Sequence, residues 1–555
     1  MKKTKLFMLA GLMIAGIVML SGCGGGEKSG DDLKVTCNNG IMVGQEEDGV
    51  ISFKGIPYAE APVGELRWKA PVADADSSEE IICDDFGDTA IQYEWPTEPA
   101  SFSPKSEDCL SLNIWTKDTN PDKAKAVMVW IHGGGFGWGG SSDAMYDGHN
   151  LVNDYGEDII FVSINYRIGI MGFADFTQIP GGEEYTDFNL GIRDQICALE
   201  WIQKNISGFG GDPDNVTIFG ESAGAGSTGC LMYSPMAKGL FNKGIKHSPM
   251  PSLDSEEWMT REDAQEFAQV IMEASGAETM DDLLAISSDE WIELDSKYWM
   301  SDYCCGPFVD GVVIPEDIKA GAEASADAGI KLMLGTNAEE SNYDIGEGAG
   351  DDNLIHTEDN FHMDIADYGT AWNNFVENIN DEYDAEYEIL SDEGKAKAEK
   401  FLEVCREDDE FWAKVEFKNE MSYRIPSILE AEAYADAGGE VYMYYWDVPS
   451  TRDIYEKGAC HAVELSYVLD NTDDYIYAGE NQDEEVAKAA QQAWVNFAVN
   501  GNPSTDEYEW PQYNKETQET MVIQKGGWKV EKFLLKEQRE LIEEIYLENK
   551  HKGFH

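Results

Sequence analysis

The chain has 555 residues, of which 42% are apolar and 11% aromatic, and this composition supports a large folded core and argues against intrinsic disorder. Asp and Glu number 107 against 40 Lys and Arg, which gives a formal net charge of −67 at neutral pH. A charge of this sign and size repels nucleic acids and anionic lipid head groups, so neither is an expected partner. The ten cysteines are scattered, which does not indicate a disulfide framework, and no C-x-x-C pair indicates zinc.

The chain begins with a basic segment followed by an apolar one. Three lysines precede the run LFMLAGLMIAGIVML at 6–20, which is typical of a signal peptide and short for a membrane-spanning helix. Leu20-Ser21-Gly22-Cys23 resembles the bacterial lipobox, in which cleavage leaves a lipid-modified cysteine. We therefore expect removal of residues 1–22, a lipid on Cys23 that anchors the exported protein to a membrane, and a flexible Gly-rich tether over 23–32. An ordinary secretory signal with an incidental cysteine is the alternative.

From residue 33 the pattern alternates between strands and helices, which favours one α/β domain over 33–555. Ala126–Gly135 and Asp158–Arg167 are near-continuous apolar runs, typical of strands buried on both faces of a parallel sheet. Asn189–Ile206 has the spacing of an amphipathic helix, and Val216–Phe219 is a short strand.

Later segments continue the alternation. Lys331–Gly335 and Glu440–Val448 are predicted strands. Between them, about 344–437 is rich in acidic and aromatic residues and mostly helical in pattern, so we expect a helical insert there. The segment 531–550 has the pattern of an amphipathic surface helix.

Gly220-Glu221-Ser222-Ala223-Gly224 fits the pattern G-x-S-x-G. A Gly-rich chain matches this pattern easily by chance, but here the serine follows a strand and precedes a helix, which is the context of a nucleophile. A second Gly-rich segment, IHGGGFGWGG at 131–140, follows an earlier strand and can leave backbone N–H groups free. We predict that the amides of Gly134, Gly135 and Ala223 form an oxyanion hole.

A serine hydroxyl needs a base to take its proton and a carboxylate to orient that base. With G-x-S-x-G, the expected chain order is nucleophile, acid and histidine. Among eight histidines, His461 lies late in the chain ahead of an apolar helical run, and it is the candidate base. Glu339 and Glu340 both follow the strand Lys331–Gly335, and spacing alone does not choose between them.

Several segments resemble the type-B carboxylesterase family, which includes cholinesterases and bacterial para-nitrobenzyl esterases. The matching blocks run in the family's order from about 35 to 513 and include FKGIPYAEAPVGELRWKAP, SEDCLSLNIW, NYRIGIMGF, DQICALEWIQKNISGFGGDPDNVTIFGESAGAGS and WVNFAVNGNPS. The resemblance implies an α/β-hydrolase fold, with a central mostly parallel sheet, helices on both faces and large helical insertions. It also implies that Glu340 is the triad acid and that His461, in the block GACH, is the histidine.

Two neighbours of the triad also match the family. Glu221, beside the serine, would add negative charge near a developing imidazolium. Ser248 corresponds to the serine of a Q-S-G motif, where this chain has His247-Ser248-Pro249.

Other positions depart from the family's pattern. Ala90 stands where many members have a cysteine that is bridged to the counterpart of Cys109, so that disulfide is absent or rerouted. The loop that binds a quaternary ammonium group in cholinesterases is shorter here, with only Trp95 as a candidate aromatic. Choline esters are therefore not the expected substrates. Tyr303 and Cys305 lie in the stretch that lines the acyl pocket and are candidates for setting acyl size.

Together these features predict a serine carboxylic-ester hydrolase that acts on a small-molecule ester through an acyl-enzyme, without a metal or cofactor. One alternative is a non-catalytic surface binding or adhesion protein on the same fold, and another is an amide or carbamate hydrolase. The presence of Ser222, Glu340 and His461 together with the Gly-rich loop favours an enzyme. The natural ester and the oligomeric state remain open at this level.

Overall fold

The fold is built around an eleven-stranded mixed sheet. The structure, a computed structural model, describes residues 33–92, 103–185, 187–253, 258–298, 306–344, 354–356, 363–365, 368–405, 409–451, 458–471, 477–479 and 482–549. In chain order the strands are β1 Lys34–Cys37, β2 Gly40–Val43, β3 Gln45–Glu47, β4 Val50–Pro57, β5 Glu80–Ile82, β6 Thr89–Ala90, β7 Lys105–Ser106, β8 Ser111–Thr116, β9 Lys125–Ile131, β10 Ile159–Ile164, β11 Gly211–Glu221, β12 Lys243–His247, β13 Met259–Thr260, β14 Phe308–Val309, β15 Lys331–Asn337, β16 Leu354–His356, β17 Met363–Ile365, β18 Val441–Asp447, β19 Glu519–Gln524 and β20 Lys529–Lys532.

The order of strands across the main sheet is β20-β19-β18-β15-β12-β11-β9-β10-β8-β4-β3. The strands from β19 to β10 in this order run parallel, whereas β20 at one end and β8, β4 and β3 at the other are antiparallel to their neighbours. The prediction of a mostly parallel sheet is therefore confirmed. Its central strands all end at one edge, and the loops that leave this edge carry the candidate site.

The α-helices span His149–Tyr155, Gly169–Phe173, Leu190–Asn205, Ala223–Tyr233, Arg261–Ser275, Met280–Leu284, Ser288–Tyr298, Ile318–Asp327, Tyr368–Ile389, Asp392–Val404, Glu410–Asn419, Ile425–Asp436, Leu465–Val468, Glu484–Asn500 and Lys536–Asn549, and a π-helix spans Glu420–Arg424. They cover both faces of the sheet. In β9, Val127 and Val129 belong to the apolar core on one face, while Met128 and Trp130 belong to the core on the other. Burial of both faces explains why the strand is a continuous apolar run.

Several boundaries differ from the sequence prediction. β11 begins at Gly211, ahead of the apolar run, because Gly211 pairs with Lys125 across a register irregularity. Residues 344–437 contain the short antiparallel pair β16–β17 as well as helices. The last helix begins only at Lys536, because 529–532 pairs with β19 as a strand.

No two cysteines in the described part of the chain form a disulfide. Cys109 and Cys83 are both buried thiols, so the disulfide that many family members form is absent here. Burial raises the pKa of Cys83 to about 11, which keeps this thiol protonated. Cys23 and the predicted signal peptide lie outside the described residues. Within the described ranges, no helix has both the length and the apolar character needed to cross a bilayer.

Candidate active site

Ser222 occupies a tight turn between β11 and the helix Ala223–Tyr233. Its backbone has φ 55° and ψ −124°, a conformation that a residue with a side chain rarely adopts. A Cβ atom on Gly224 would lie 2.1 Å from the carbonyl oxygen of Ile131, and one on Gly220 would lie 2.5 Å from the same oxygen. The two glycines of G-x-S-x-G are therefore required by the close approach of β9 to the turn.

Backbone hydrogen bonds hold this turn in place. The Ser222 N–H donates to the carbonyl of His247 at 2.9 Å, and the Ser222 carbonyl accepts from the N–H groups of Gly226 at 2.9 Å and Met250 at 3.3 Å. The serine itself is half-buried. A strained serine that is fixed by its neighbours and still reachable fits a nucleophile.

The Gly-rich loop after β9 packs directly on this turn. A Cβ on Gly133 would lie 3.3 Å from Cβ of Ser222 and 2.6 Å from the carbonyl oxygen of Glu221. Gly134 and Gly135 have φ values of +104° and +57°, and the Gly134 carbonyl accepts from the N–H of Trp138 at 2.9 Å. Ala223 is the first residue of the following helix, where backbone N–H groups have no partner within the helix. The three predicted amides thus belong to the loop and the helix start that meet at Ser222.

His132 supports the same loop. Its ring stacks on Tyr166 at 4.4 Å between centroids, and its carbonyl accepts from the Tyr166 hydroxyl at 2.7 Å. Burial lowers the pKa of His132 to about 4, so the ring is neutral. This histidine therefore shapes the loop.

The structure brings Glu340 and His461 together from distant parts of the chain. Nδ1 of His461 lies 2.7 Å from Oε2 of Glu340, and the His461 N–H donates to the Glu340 carbonyl at 3.1 Å. The other carboxylate oxygen, Oε1, accepts from the Ser248 hydroxyl at 2.5 Å and from the Asn337 N–H at 2.6 Å. Burial raises the pKa of Glu340, and the bonds from His461 and Ser248 act against that rise. Ser248 thus contacts the carboxylate even though its neighbours differ from Q-S-G.

Glu339 has a different position. Its Oε2 accepts from the N–H of Ala459 at 2.7 Å, and its own N–H donates to the Ala459 carbonyl at 3.0 Å. A Cβ on Gly458 would lie 1.9 Å from Oε2 of Glu339, so this glycine allows the carboxylate to approach. Of the two glutamates that the sequence left open, only Glu340 is bonded to the imidazole of His461.

Glu221 approaches the opposite side of the imidazole. Its Oε1 lies 3.0 Å from Nε2 of His461, at ion-pair distance. Burial disfavours a charged ring, yet Glu221 and Glu340 outweigh burial and raise the pKa of His461 well above its ordinary value. Because Glu221 directly precedes Ser222, this contact also places Nε2 next to the turn of the serine.

Two tyrosine rings lie close to the imidazole of His461. The ring centroids of Tyr423 and Tyr343 lie 5.1 and 5.8 Å from that of His461. Tyr477 in turn lies 5.6 Å from Tyr343. The three tyrosines come from the π-helix, the segment after Glu340 and a loop near 477, and no sequence motif singled them out.

Some predicted positions cannot be placed. Trp95, Tyr303 and Cys305 lie outside the described residues, as does Cys23. Within the described ranges, no group of three or more His, Cys, Asp or Glu side chains is arranged to hold a metal ion.

The sequence profile described as "Carboxylesterase family" matches residues 31–542. The chain belongs to the carboxylesterase family. It is 34% identical over 506 residues to the para-nitrobenzyl esterase of Bacillus subtilis (strain 168), covering 88% of this chain and 94% of that protein. It is also 31% identical over 520 residues to liver carboxylesterase 1 of Oryctolagus cuniculus, with 84% of each chain covered. As a carboxylesterase, it has ester hydrolysis as its expected reaction class.

Solved structures agree with this assignment. A structure titled PNB esterase superimposes with a TM-score of 0.76 at 30% identity, covering 92% of this chain and 99% of the other. A carboxylesterase of Geobacillus stearothermophilus gives a TM-score of 0.76 at 29% identity, with 92% and 99% covered. The predicted α/β-hydrolase fold is confirmed.

Proposed function

We propose that this carboxylesterase hydrolyses small carboxylic esters through an acyl-enzyme formed on Ser222. In this proposal, His461 is the general base and acid, Glu340 orients it, and the amides of Gly134, Gly135 and Ala223 stabilise the oxyanion. The observation that supports it most directly is the 2.7 Å contact between Nδ1 of His461 and Oε2 of Glu340 beside the strained turn of the serine. A carboxylate on Nδ1 fixes the tautomer whose unprotonated Nε2 accepts a proton.

Acylation begins when the Ser222 hydroxyl loses its proton to Nε2 of His461 as the oxygen attacks the ester carbonyl. For this step, Nε2 must exchange its 3.0 Å contact with Glu221 for the hydroxyl. The carbonyl oxygen becomes an oxyanion, which backbone N–H groups stabilise by about 3–4 kcal/mol per donor in comparable sites. The imidazolium then gives its proton to the leaving alcohol, and the carbon–oxygen bond breaks.

Deacylation repeats these steps with water. His461 takes a proton from a water molecule as that water attacks the acyl carbon, and the resulting imidazolium returns the proton to the Ser222 oxygen. The acid is released and the free serine is restored. The reaction consumes one ester and one water, and every proton passes through one imidazole.

Turnover of para-nitrophenyl acetate by Ser222→Ala tests this proposal. We expect kcat to fall by at least ~10³-fold, because the nucleophile of a triad is indispensable. A fluorophosphonate probe should label the wild type on the peptide that contains Ser222 and should not label the variant. Equal turnover by both proteins would refute the assignment.

The bond that is cleaved can be tested separately. Turnover of an ester and an anilide that carry the same acyl group distinguishes an ester hydrolase from an amide hydrolase. We expect turnover of the ester and little turnover of the anilide. Absence of both activities in a folded protein that the fluorophosphonate does not label would instead favour the binding or adhesion alternative.

We also propose that the protein is exported and anchored through a lipid on Cys23. The basic start, the apolar run at 6–20 and the sequence Leu20-Ser21-Gly22-Cys23 support this location. Labelled palmitate should be incorporated into the wild type and not into Cys23→Ser. Lack of incorporation in both would leave only an ordinary secretory signal.

A further inference from the structure

A second buried imidazole lies directly behind the nucleophile turn. His247 is the last residue of β12, and its side chain is fully buried. Its Nδ1 lies 3.1 Å from Oε1 of Glu464, which is also fully buried. On the other side, the indole N–H of Trp494 donates to Nε2 of His247 at 3.0 Å. Both ring nitrogens are therefore occupied, and neither partner belongs to the proposed triad.

The two contacts fix the protonation of the ring. An indole nitrogen can only donate, so Nε2 of His247 must be the unprotonated acceptor. The ring proton then sits on Nδ1 and is donated to Glu464. Burial disfavours the charged carboxylate of Glu464, but its contacts with His247 and the hydrogen bond from Asn337 outweigh burial and lower its pKa. The pair is therefore an imidazole that donates through Nδ1 to a carboxylate.

Glu464 connects this pair to the acid and the base. Its Oε2 accepts from Nδ2 of Asn337 at 2.6 Å, and the same Nδ2 also donates to the carbonyl of Cys460 at 2.9 Å. Cys460 immediately precedes His461. The backbone N–H of Asn337 donates to Oε1 of Glu340 at 2.6 Å. Asn337 thus holds both the triad acid and the loop that carries the base, and Glu464 orients the Asn337 amide.

The backbone at residues 247–248 reaches the remaining parts of the site. The His247 carbonyl accepts from the Ser222 N–H at 2.9 Å. The next residue, Ser248, donates its hydroxyl to Oε1 of Glu340 at 2.5 Å. Residues 247 and 248 therefore contact Ser222 and Glu340 directly. They reach the loop that carries His461 through Glu464 and Asn337.

We propose that His247 is a positioning residue for the catalytic triad. The hydrogen bond from Trp494 fixes the Nδ1–H tautomer of His247, which orients Glu464. Glu464 in turn orients Asn337, which keeps Glu340 and His461 in their relative positions. The inference rests on the proposed serine mechanism and adds a residue to it. A purely structural role for His247 would affect the free energy of unfolding, whereas a positioning role lowers the rate per folded molecule.

His247→Phe and His247→Gln form the decisive pair. Phenylalanine keeps a planar ring but leaves Oε1 of the buried Glu464 without its donor, so we expect kcat to fall about 10- to 100-fold, the range typical of residues that orient a catalytic ligand. KM should stay within about twofold, because no contact with substrate is changed. Glutamine has an NH2 group that can donate to Glu464 and a carbonyl that can accept from Trp494, so kcat should return to within about threefold of the wild type.

Glu464→Gln tests the next contact with a side chain of the same size. The amide cannot accept on both atoms from His247 and Asn337, so kcat should fall as in His247→Phe, with KM unchanged. The matched control is Glu432→Gln, because Glu432 is a buried carboxylate bonded to Arg539 on the last helix. This control should lower the melting temperature without changing kcat.

Rates are expressed per active site, counted by complete labelling with a fluorophosphonate. If kcat per labelled site is unchanged in both His247→Phe and Glu464→Gln, His247 is only a packing residue and the inference is overturned. The same holds if His247→Gln is as slow as His247→Phe. Failure of the serine mechanism has a different signature, namely activity that survives in Ser222→Ala.

Discussion

At the scale of single residues, the imidazole of His461 is shared between two carboxylates. Glu340 holds Nδ1 at 2.7 Å, and Glu221 lies 3.0 Å from Nε2. Two negative charges would stabilise the imidazolium that the proposed acyl transfer forms. They also raise the pKa of His461 in the resting enzyme, so a larger share of the base is protonated, and thus inactive, at a given pH. Glu221 therefore lowers activity at low pH while it stabilises the positive charge of the His461 imidazolium.

Glu221→Gln should shift the pH profile to the acidic side. Removing one negative charge beside Nε2 lowers the pKa of His461. The neutral base then persists to lower pH, and the acidic limb of the kcat/KM profile shifts to lower pH. At the plateau, kcat should fall, because the imidazolium is less stabilised. Initial rates with para-nitrophenyl acetate across pH measure both effects. The exposed Glu47→Gln serves as the control, and an unmoved acidic limb in Glu221→Gln would contradict the electrostatic account.

Gly134 and Gly135 offer a matched comparison in the loop. A Cβ on Gly134 would lie 2.2 Å from the Trp138 carbonyl oxygen, which is backbone and cannot move alone. A Cβ on Gly135 meets no atom within 4 Å, so alanine there costs only the left-handed conformation, about 1–2 kcal/mol. Gly134→Ala should therefore lose much more kcat than Gly135→Ala. Similar losses in the two variants, measured with one ester, would show that the close contact does not control the loop.

At the scale of elements, the π-helix Glu420–Arg424 carries Tyr423 against the imidazole of His461. π-helical turns within α-helices are rare and often occur at functional sites. In the proposed mechanism, His461 gives its proton to the leaving alcohol, so we expect the rings beside it to contact the alcohol part of the ester. The irregular turn thus brings a helix of the insert next to His461.

Replacing Tyr423 should change the preference for the alcohol group. Benzyl acetate and cyclohexylmethyl acetate share an acyl group and differ in whether the alcohol carries an aromatic ring. Tyr423→Leu should reduce the ratio of their kcat/KM values by up to about tenfold, since an aromatic pair contributes about 0.5–1.5 kcal/mol. Tyr423→Phe keeps the ring and should keep the ratio. An unchanged ratio in Tyr423→Leu would place the alcohol elsewhere.

Comparison with the sequence shows which elements could be predicted. The turn at Ser222 can be predicted from the sequence because a strand, a glycine pattern and a helix are local features. Choosing Glu340 over Glu339 needed the family resemblance, since both follow the same strand and only their turn geometry separates them. Asn337 and Glu464 were missed because their contacts join β15 to the loop after β18. Spacing along one segment carries no information about which distant segment lies opposite.

At the scale of the whole molecule, negative charge is balanced by basic residues at some buried sites but is in large excess overall. Some buried carboxylates are paired with a base, as Glu430 is with Lys246 at 2.6 Å and Asp194 with Arg167 at 2.7 Å. With 107 acidic and only 40 basic residues, most surface carboxylates have no basic residue to balance them. Their mutual repulsion opposes the compact state and is the same force that keeps the chain soluble.

Salt should therefore stabilise this protein. Raising ionic strength from about 0.01 to about 0.1 M shortens the Debye length from about 30 to about 10 Å, which screens repulsion between surface carboxylates far more than the buried pairs. We expect the melting temperature to rise over this range in thermal unfolding followed by fluorescence. Sodium and potassium chloride should give equal rises, because screening depends on ionic strength alone. A rise with only one cation would instead indicate a bound ion, and a fall would mean that attractive surface pairs outweigh the excess of negative charge.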